Sequence, residues 1–280
     1  MNAAIDIRHN VHPDMARGLD TEGLRQHFLI ETLFVPGQVR MTYSHIDRLV
    51  VAGAVPEAEA ITLPTPKAIG QARFFDAREG GVINIGGPGR VVVDGTEHAL
   101  TGDAALYIGR GTGEVRFISD DAAQPARFYM ISTPAHKDLP TQVVDATRAN
   151  RLDLGDQGTA NRRTIFQFLH PDVIETCQLT MGLTRLEPGS IWNTMPAHTH
   201  DRRSEVYLYF GLPEGQRVFH LMGEPEQTRH IVVGNGQAVL SPSWSIHSGA
   251  GTAAYAFIWA MAGDNKDFTD MDHLKIEELK

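Results

Sequence analysis

From residue 68 onward the chain is written in short apolar runs cut by glycine, proline and aspartate. "GGVINIGGPGRVVVDGTEHALTGDAALYIGRGTGEVRFI" has this texture, and it returns in "ETCQLTMGLTRLEPGSIW", "EVYLYF", "QRVFHLMG", "RHIVVGNGQAVLSP" and "AYAFIWAMAG". Each run is long enough for a strand, and the breakers between runs leave no space for the helices that parallel strands require. The predicted class is therefore mainly β, with two antiparallel β-barrel or jelly-roll halves and a few short helices. Asp94-Gly95 inside "VVVDGTEHAL" predicts a tight hairpin.

Three segments follow from the texture. Residues 1–35 read as an N-terminal arm with a helix. In "DTEGLRQHFLIETLF" an acidic start (Asp20, Thr21, Glu22) precedes apolar positions Leu24, Phe28, Leu29 and Leu33 at near-helical spacing. Residues 36–150 read as a first half. It begins with "VRMTYSHIDRLVVAGAV", a strand with a polar middle; a looser stretch from "TPAHKDLPTQVV" to "DLGDQGTANRRT", reaching residue 164, reads as the connection between the halves. Residues 151–280 read as a second half with a short tail, "DFTDMDHLKIEELK", helical at its end. "LTGDAALYIGRGTGEVRF" can be laid against "VGNGQAVLSPSWSIHSG", a weak internal repeat of strand leading into turn.

Charge and cysteine content narrow the function. A net charge of −9 argues against a nucleic-acid surface, although a small anion can still be held by locally gathered arginines. The single cysteine, Cys177, precludes an intramolecular disulfide and suits a reducing compartment; its apolar neighbours predict a buried strand residue. The N-terminus has no apolar signal-peptide core, and no run of about 18 apolar residues could cross a membrane. A cytoplasmic protein without membrane partners is expected.

The chemistry concentrates in "MPAHTHDRRSEVYLYF". Residues i and i+2 of a strand point to the same face, so His198 and His200 can aim both imidazoles at one point. Glu205 opens the next strand, where an acid is out of place among apolar residues. His247 arrives at a strand end in "LSPSWSIHSG". Three neutral imidazoles and one carboxylate suit a divalent transition metal, and zinc, iron, manganese and nickel all accept the set. The first half has no His-x-His and no counterpart of His247.

These residues resemble the two cupin motifs. Gly189, His198, His200, Glu205 and Gly211 follow the first; Gly236, Pro242 and His247 follow the second. The spacer from Gly189 to His198 is long, Trp244 stands where the motif has glycine, and no asparagine follows His247; these departures touch loop shape rather than ligands. More narrowly, "TYSHIDRLVVAGAVP", "GVINIGG", "NRRTI", "ETCQLTMGLT", "WNTMPAHTH", "RHIV", "SPSWSIHSG", "AYAFIWAM" and "DMDH" are similar to the 5-dehydro-4-deoxy-D-glucuronate isomerase family of the cupin superfamily. The similarity runs in order from about Arg8 to the C-terminus. It implies a bicupin fold, one Zn2+ per chain held by His198, His200, Glu205 and His247, and a homohexamer. It also implies a zinc-dependent ketol-isomerase that converts an anionic sugar, 5-dehydro-4-deoxy-D-glucuronate, to 3-deoxy-D-glycero-2,5-hexodiulosonate in pectin and uronate breakdown.

An aldose–ketose shift by an enediol route needs a base at C2, stabilisation of oxyanion charge and a site for the carboxylate. A hydride shift is the other route, and the residues do not separate the two. Candidate bases are Tyr43, His45 and Asp47 in "TYSHIDR", and Glu175. Candidate carboxylate partners are Arg48, Arg162, Arg163, Arg202 and Arg203, because guanidinium pairs with carboxylate in a bidentate manner. The ligand set alone also allows another metal-dependent cupin enzyme, such as a dioxygenase or an isomerase of a different sugar. A non-catalytic sugar-binding bicupin with a structural metal is the remaining alternative.

Overall fold

The computed structural model describes residues 5–264, 267 and 269–280. Residues 1–4 of the expected arm, and Phe268 of the expected tail, lie outside the described residues. The fold is mainly β, with jelly-roll halves, as the strand-sized runs predicted. Two compact units are present. One comprises Met1–Arg8, Thr32–Asn150 and Phe168–Thr180; the other comprises His9–Glu31, Arg151–Gln167 and Met181–Lys280.

In the first unit a seven-stranded sheet has the order Asp6–Arg8, Val39–Ser44, Val50–Ala54, Phe128–Pro134, Arg78–Asn84, Ala104–Ile108, Gln142–Asp145. A four-stranded sheet has the order Ile61–Thr62, Val115–Ser119, Gly89–Val93, Thr96–Leu100. Alternate residues of both sheets meet in one core. Val50, Val82, Leu106 and Met130 come from the larger sheet, and Val91, Val93 and Phe117 from the smaller. The Asp94-Gly95 hairpin forms with both residues at positive φ (47° and 84°), the signature of a type I′ turn, and Val93 pairs with Thr96.

The stretch "VRMTYSHIDRLVVAGAV" is two strands rather than one. Its polar middle leaves the buried sheet as a turn through Asp47 and Arg48, whose φ values are 47° and 53°. The supposed connector after residue 134 holds two further strands, Gln142–Asp145 and Asn150–Leu154; "QVVD" completes an otherwise open sheet edge against Ala104–Ile108.

Cys177 is buried but does not lie on a strand; the strand begins at Thr180. The backbone N–H groups of Cys177, Gln178 and Leu179 instead donate to the carboxylate of Glu79, at 2.7, 2.7 and 2.9 Å. Tyr107 donates its hydroxyl to the same group at 2.7 Å. A fully buried carboxylate is tolerated because its oxygens are met by donors in this way.

The second unit repeats the plan. Its seven-stranded sheet has the order Asn150–Leu154, Arg163–Leu169, Thr180–Leu186, Ala256–Gly263, Arg203–Phe210, Gln237–Ser241, Leu29–Ile30. Its four-stranded sheet has the order Trp192–Asn193, Ser248–Gly251, Val218–Glu224, Gln227–Val233. The weak internal repeat in the sequence corresponds to this shared plan of seven strands facing four.

The expected helix is shorter than its apolar pattern. It spans Thr21–Phe28, and the Asp20 side chain caps it by accepting from Gly23 N at 2.8 Å. Leu24 and Phe28 bury its inner face, each side chain contributing roughly 1.5–3 kcal/mol. Beyond Phe28 the apolar period continues, but Leu29 and Ile30 pair with Val239 and Ala238 at the sheet edge. Ladder hydrogen bonds on an open edge outweigh one more helical turn. Among the described residues no helix is long and apolar enough to cross a membrane.

Candidate metal centre

Four side chains converge inside the second unit. His198 lies on a two-residue strand, His198–Thr199, and His200 follows it. Glu205 sits on Arg203–Phe210, a strand buried along its whole length, paired with Ser241 on one side and Met261 on the other. His247 closes the turn before Ser248–Gly251. Three motif glycines, Gly189, Gly211 and Gly236, have φ of 86°, 69° and 79°, a region that other residues avoid, which gives a physical reason for glycine there.

One ligand atom from each of the four lies within 4.8 Å of all the others. Around the ring, His198 Nε2 is 3.2 Å from His200 Nε2, which is 3.2 Å from Glu205 Oε2. Glu205 Oε2 is 2.8 Å from His247 Nε2, which is 2.9 Å from His198 Nε2. Donors that share one cation at bond lengths near 2.1 Å stand about 3 Å apart, so the spacing fits a metal.

The tautomers fit as well. His200 Nδ1 lies 2.9 Å from the Asp270 carbonyl and 3.2 Å from Arg203 Nη2. The guanidinium donates to that same carbonyl at the shorter distance of 2.8 Å, so the arrangement accommodates a proton on Nδ1 directed at the carbonyl, which leaves the Nε2 lone pair toward the cluster. His247 Nδ1 lies 3.4 Å from Ser241 Oγ, which again leaves Nε2 toward the cluster. Burial first, and the neighbouring His247 second, push the His198 pKa down to about 2, so this imidazole is neutral at physiological pH. Burial would raise the Glu205 pKa, but the adjacent His247 and His200 outweigh it and hold the carboxyl below its usual range. With each imidazole offering a lone pair, as ligation requires, the carboxylate would give the cluster a net negative charge, buried and available to a divalent cation.

The cluster forms part of the wall of a cavity of about 580 Å³, within the roughly 300–1,000 Å³ typical of small-ligand sites. Ile165, Trp259 and Met261 supply apolar surface, while Arg163, Thr194 and Tyr207 supply polar groups. Arg163 is half-buried and donates through Nη1 to the Asn161 carbonyl at 2.9 Å, with no ion pair among the described residues. Burial lowers its pKa, and the nearby Tyr207 and Tyr255 partly restore it.

The sequence candidates separate by location. Of the five arginines only Arg163 lines the cavity. Arg162 is exposed on the opposite parity of the chain. Arg202 is ion-paired with the Asp270 carboxylate, and Arg203 is buried with Nη2 on the Asp270 carbonyl at 2.8 Å. Arg48 belongs to the first unit and accepts from Arg78 through its carbonyl. Tyr43, His45, Asp47 and Glu175 also belong to the first unit, and none lines this cavity. Tyr43 stacks edge-on against His45, and exposed Glu175 pairs with Lys137 at 2.7 Å. Trp244 packs against Phe28 of the helix rather than into the cavity.

Tyr207, Thr194 and His273 were missed in the sequence. Tyr207 had a readable signal, because it stands two residues after Glu205 on one strand and so shares its face. Its hydroxyl lies 2.9 Å from Thr194 Oγ1. Burial, then the Glu205 charge, raise its pKa well above 10, so the phenol stays protonated. Thr194 and His273 carry no such signal, since their placement depends on a loop and on the tail.

His220 is fully buried with Nδ1 2.7 Å from Tyr209 Oη. Burial, aided by His247, lowers its pKa to about 3. The folded state therefore refuses a proton that the unfolded chain accepts below about 6.5. This contribution to stability is complete above that pH and drains away between about 6.5 and 3, at up to ~1.4 kcal/mol per unit. Denaturant unfolding of the metal-free protein is expected to lose about 2 kcal/mol from this group between pH 7.5 and 5, and His220→Gln should flatten the slope.

Comparison with known proteins agrees with this architecture. Residues 29–276 match the model of the KduI/IolB family. The chain is 54% identical over 280 residues, all of both proteins, to 4-deoxy-L-threo-5-hexosulose-uronate ketol-isomerase 1 of Rhizobium meliloti. It is 53% identical to the 4-deoxy-L-threo-5-hexosulose-uronate ketol-isomerase of Dickeya dadantii, covering 99% of this chain and 100% of that one. Among solved structures, an IolB-like protein from Salmonella typhimurium superposes with a TM-score of 0.67 at 18% identity, over 81% of this chain and 87% of the other, which speaks to fold. With the match spanning both units and full-length identity above half, the chain belongs to the KduI/IolB family.

Proposed function

We propose that this protein is a zinc-dependent ketol-isomerase converting 5-dehydro-4-deoxy-D-glucuronate to 3-deoxy-D-glycero-2,5-hexodiulosonate. The observation that carries the reading is the meeting, in one cavity, of a cluster of metal-ligand type with an arginine, Arg163, that has no acid partner among the described residues. The substrate has the same two ends, a carbonyl–hydroxyl pair and a carboxylate. Relatives of full-length similarity bear the name of this activity.

His198, His200, Glu205 and His247 would hold the cation. When bound there, a divalent metal supplies Lewis-acid polarisation of the carbonyl and its neighbouring hydroxyl, contributing several kcal/mol. In the isomerisation a proton leaves carbon C2, one is delivered to C1, and a hydroxyl proton passes from O2 to O1. Tyr207, protonated at neutral pH, donates a hydrogen bond to a substrate oxygen on this path. Arg163 pairs with the carboxylate, and the apolar surface of Trp259 and Met261 excludes water around the deoxy carbon. Tyr207→Phe is expected to lower kcat about tenfold, the equivalent of one net hydrogen bond, with metal content unchanged.

The same reading includes one zinc per chain, a homohexamer and a cytoplasmic setting. Carbon NMR of the sugar after incubation with the 4-deoxy-5-ketouronate released by an unsaturated-uronate lyase tests the function. Loss of the C1 aldehyde (or its hydrate) and appearance of a hydroxymethyl carbon are expected. A zinc-loaded sample that leaves the aldose unchanged would reject the activity; metal analysis of the purified protein tests zinc, and sedimentation tests the hexamer.

A further inference from the structure

The string "DMDH" near the C-terminus is not part of either large sheet of the second unit, yet it touches the centre at several points. Asp272–His273 forms a separate two-stranded ladder with His198–Thr199, in the register His198 to His273 and Thr199 to Asp272. Leu274 N–H donates to the Ala197 carbonyl at 3.1 Å, one residue before the first ligand. The Asp270 carbonyl accepts from His200 Nδ1 at 2.9 Å and from Arg203 Nη2 at 2.8 Å. The Asp270 carboxylate is held by Arg202. Farther along, Lys280 N–H donates to the Pro225 carbonyl at 3.0 Å and the Lys280 carbonyl accepts from Thr228 N–H at 2.9 Å, so the tail is tied at both ends.

We propose that Asp270–Leu274 is a positioning strap for the metal centre: its backbone sets the ring orientation and tautomer of His200 and the register of His198, and divalent-cation affinity depends on it. The inference rests on the four-residue cluster being a metal site. Two of the four ligands, His198 and His200, sit in a short segment of irregular chain, whereas Glu205 is locked in a central strand. A two-residue strand has little intrinsic stability, so the ladder with Asp272–His273 is what orders it. The His200 ring needs its Nδ1 proton satisfied to offer Nε2, and the strap carbonyl supplies that acceptor. Outer contacts of this kind change metal affinity by about 10–100-fold when removed. Asp272 and His273 are themselves exposed, so their contribution to the hydrophobic core is small.

Leu274→Pro removes the N–H that ties the strap to Ala197, and Arg202→Ala releases Asp270 from an exposed ion pair without touching a ligand. Zn2+ affinity of the full-length, metal-stripped proteins is measured by competition with a chromophoric chelator. The visible spectrum of the Co2+-loaded proteins reports ligand geometry, and melting of the metal-free forms reports the fold. Expected results are a Kd about 10–100-fold weaker for Leu274→Pro and up to about fivefold weaker for Arg202→Ala, with altered Co2+ bands and unchanged metal-free melting. Wild-type affinity and an unaltered Co2+ spectrum in Arg202→Ala and in any folded Leu274→Pro overturn the proposal. So does loss of metal-free stability in parallel with affinity in both variants, because the strap would then be a general structural element. Failure of the wild-type protein itself to bind either cation overturns the metal reading and the strap with it.

Discussion

Glu205→Gln is expected to reduce turnover by about 10³-fold or more, the equivalent of roughly 4 kcal/mol, with loss of the bound metal. Gln has nearly the same shape, and its amide can still meet the rings of His200 and His247, which stand 3.2 and 2.8 Å from the native carboxylate. What it removes is the one negative charge of the cluster. Glu205 is 4% exposed, so solvent cannot supply a replacement. The fold should survive, because a buried carboxylate without its cation is a cost that the neutral amide relieves. Thermal or denaturant unfolding separates the two effects. Zn2+ at 100 times its Kd should stabilise the wild-type protein by about 2.7 kcal/mol and the variant by almost nothing. Equal metal content and near-native turnover in Glu205→Gln would contradict the assignment of this side chain as a ligand.

Arg163→Met is the second large effect expected. Methionine keeps the apolar stem in contact with the cavity wall and removes the guanidinium. Two charge-assisted hydrogen bonds to a carboxylate are lost, so kcat/KM should fall about 100-fold, chiefly through KM, while metal content stays unchanged. Arg163→Lys should recover only part of the loss, because a single ammonium does not reproduce a bidentate fork. A substrate analogue reduced to the neutral alcohol at the carboxyl end should bind wild type and variant alike. An unaltered KM in Arg163→Met would move the anion site elsewhere.

The choice of Arg163 over Arg162 illustrates how much of the site was legible. Both stand in "NRRT", and composition does not distinguish them. Parity does: Arg163 lies two residues from Ile165 on the strand Arg163–Leu169, and both line the cavity, whereas Arg162 is exposed. The same argument retrieves Tyr207 from Glu205. Arg202 and Arg203 adjoin the metal motif in sequence, but the tail takes both of them as anchors. Proximity in sequence was therefore a poor guide to which arginine faces the cavity. "TYSHIDR" looked chemical because its residues are chemical; in the fold it is a strand end and hairpin turn of the first unit.

The chain by itself determined the features that rest on local spacing. Breakers between strand-sized runs made it a β protein, and a two-residue period put His198 and His200 on one side, with Glu205 and His247 completing a ligand set recognisable by type. Tertiary structure alone decided what reaches that cluster and its cavity from a distance: the Arg163 side chain from the strand before the motif, Thr194 from a loop, and the Asp270 backbone carbonyl and His273 from the tail. Such meetings depend on register between segments tens of residues apart, which the hydrogen-bond ladders of the folded sheets set and which no local pattern encodes.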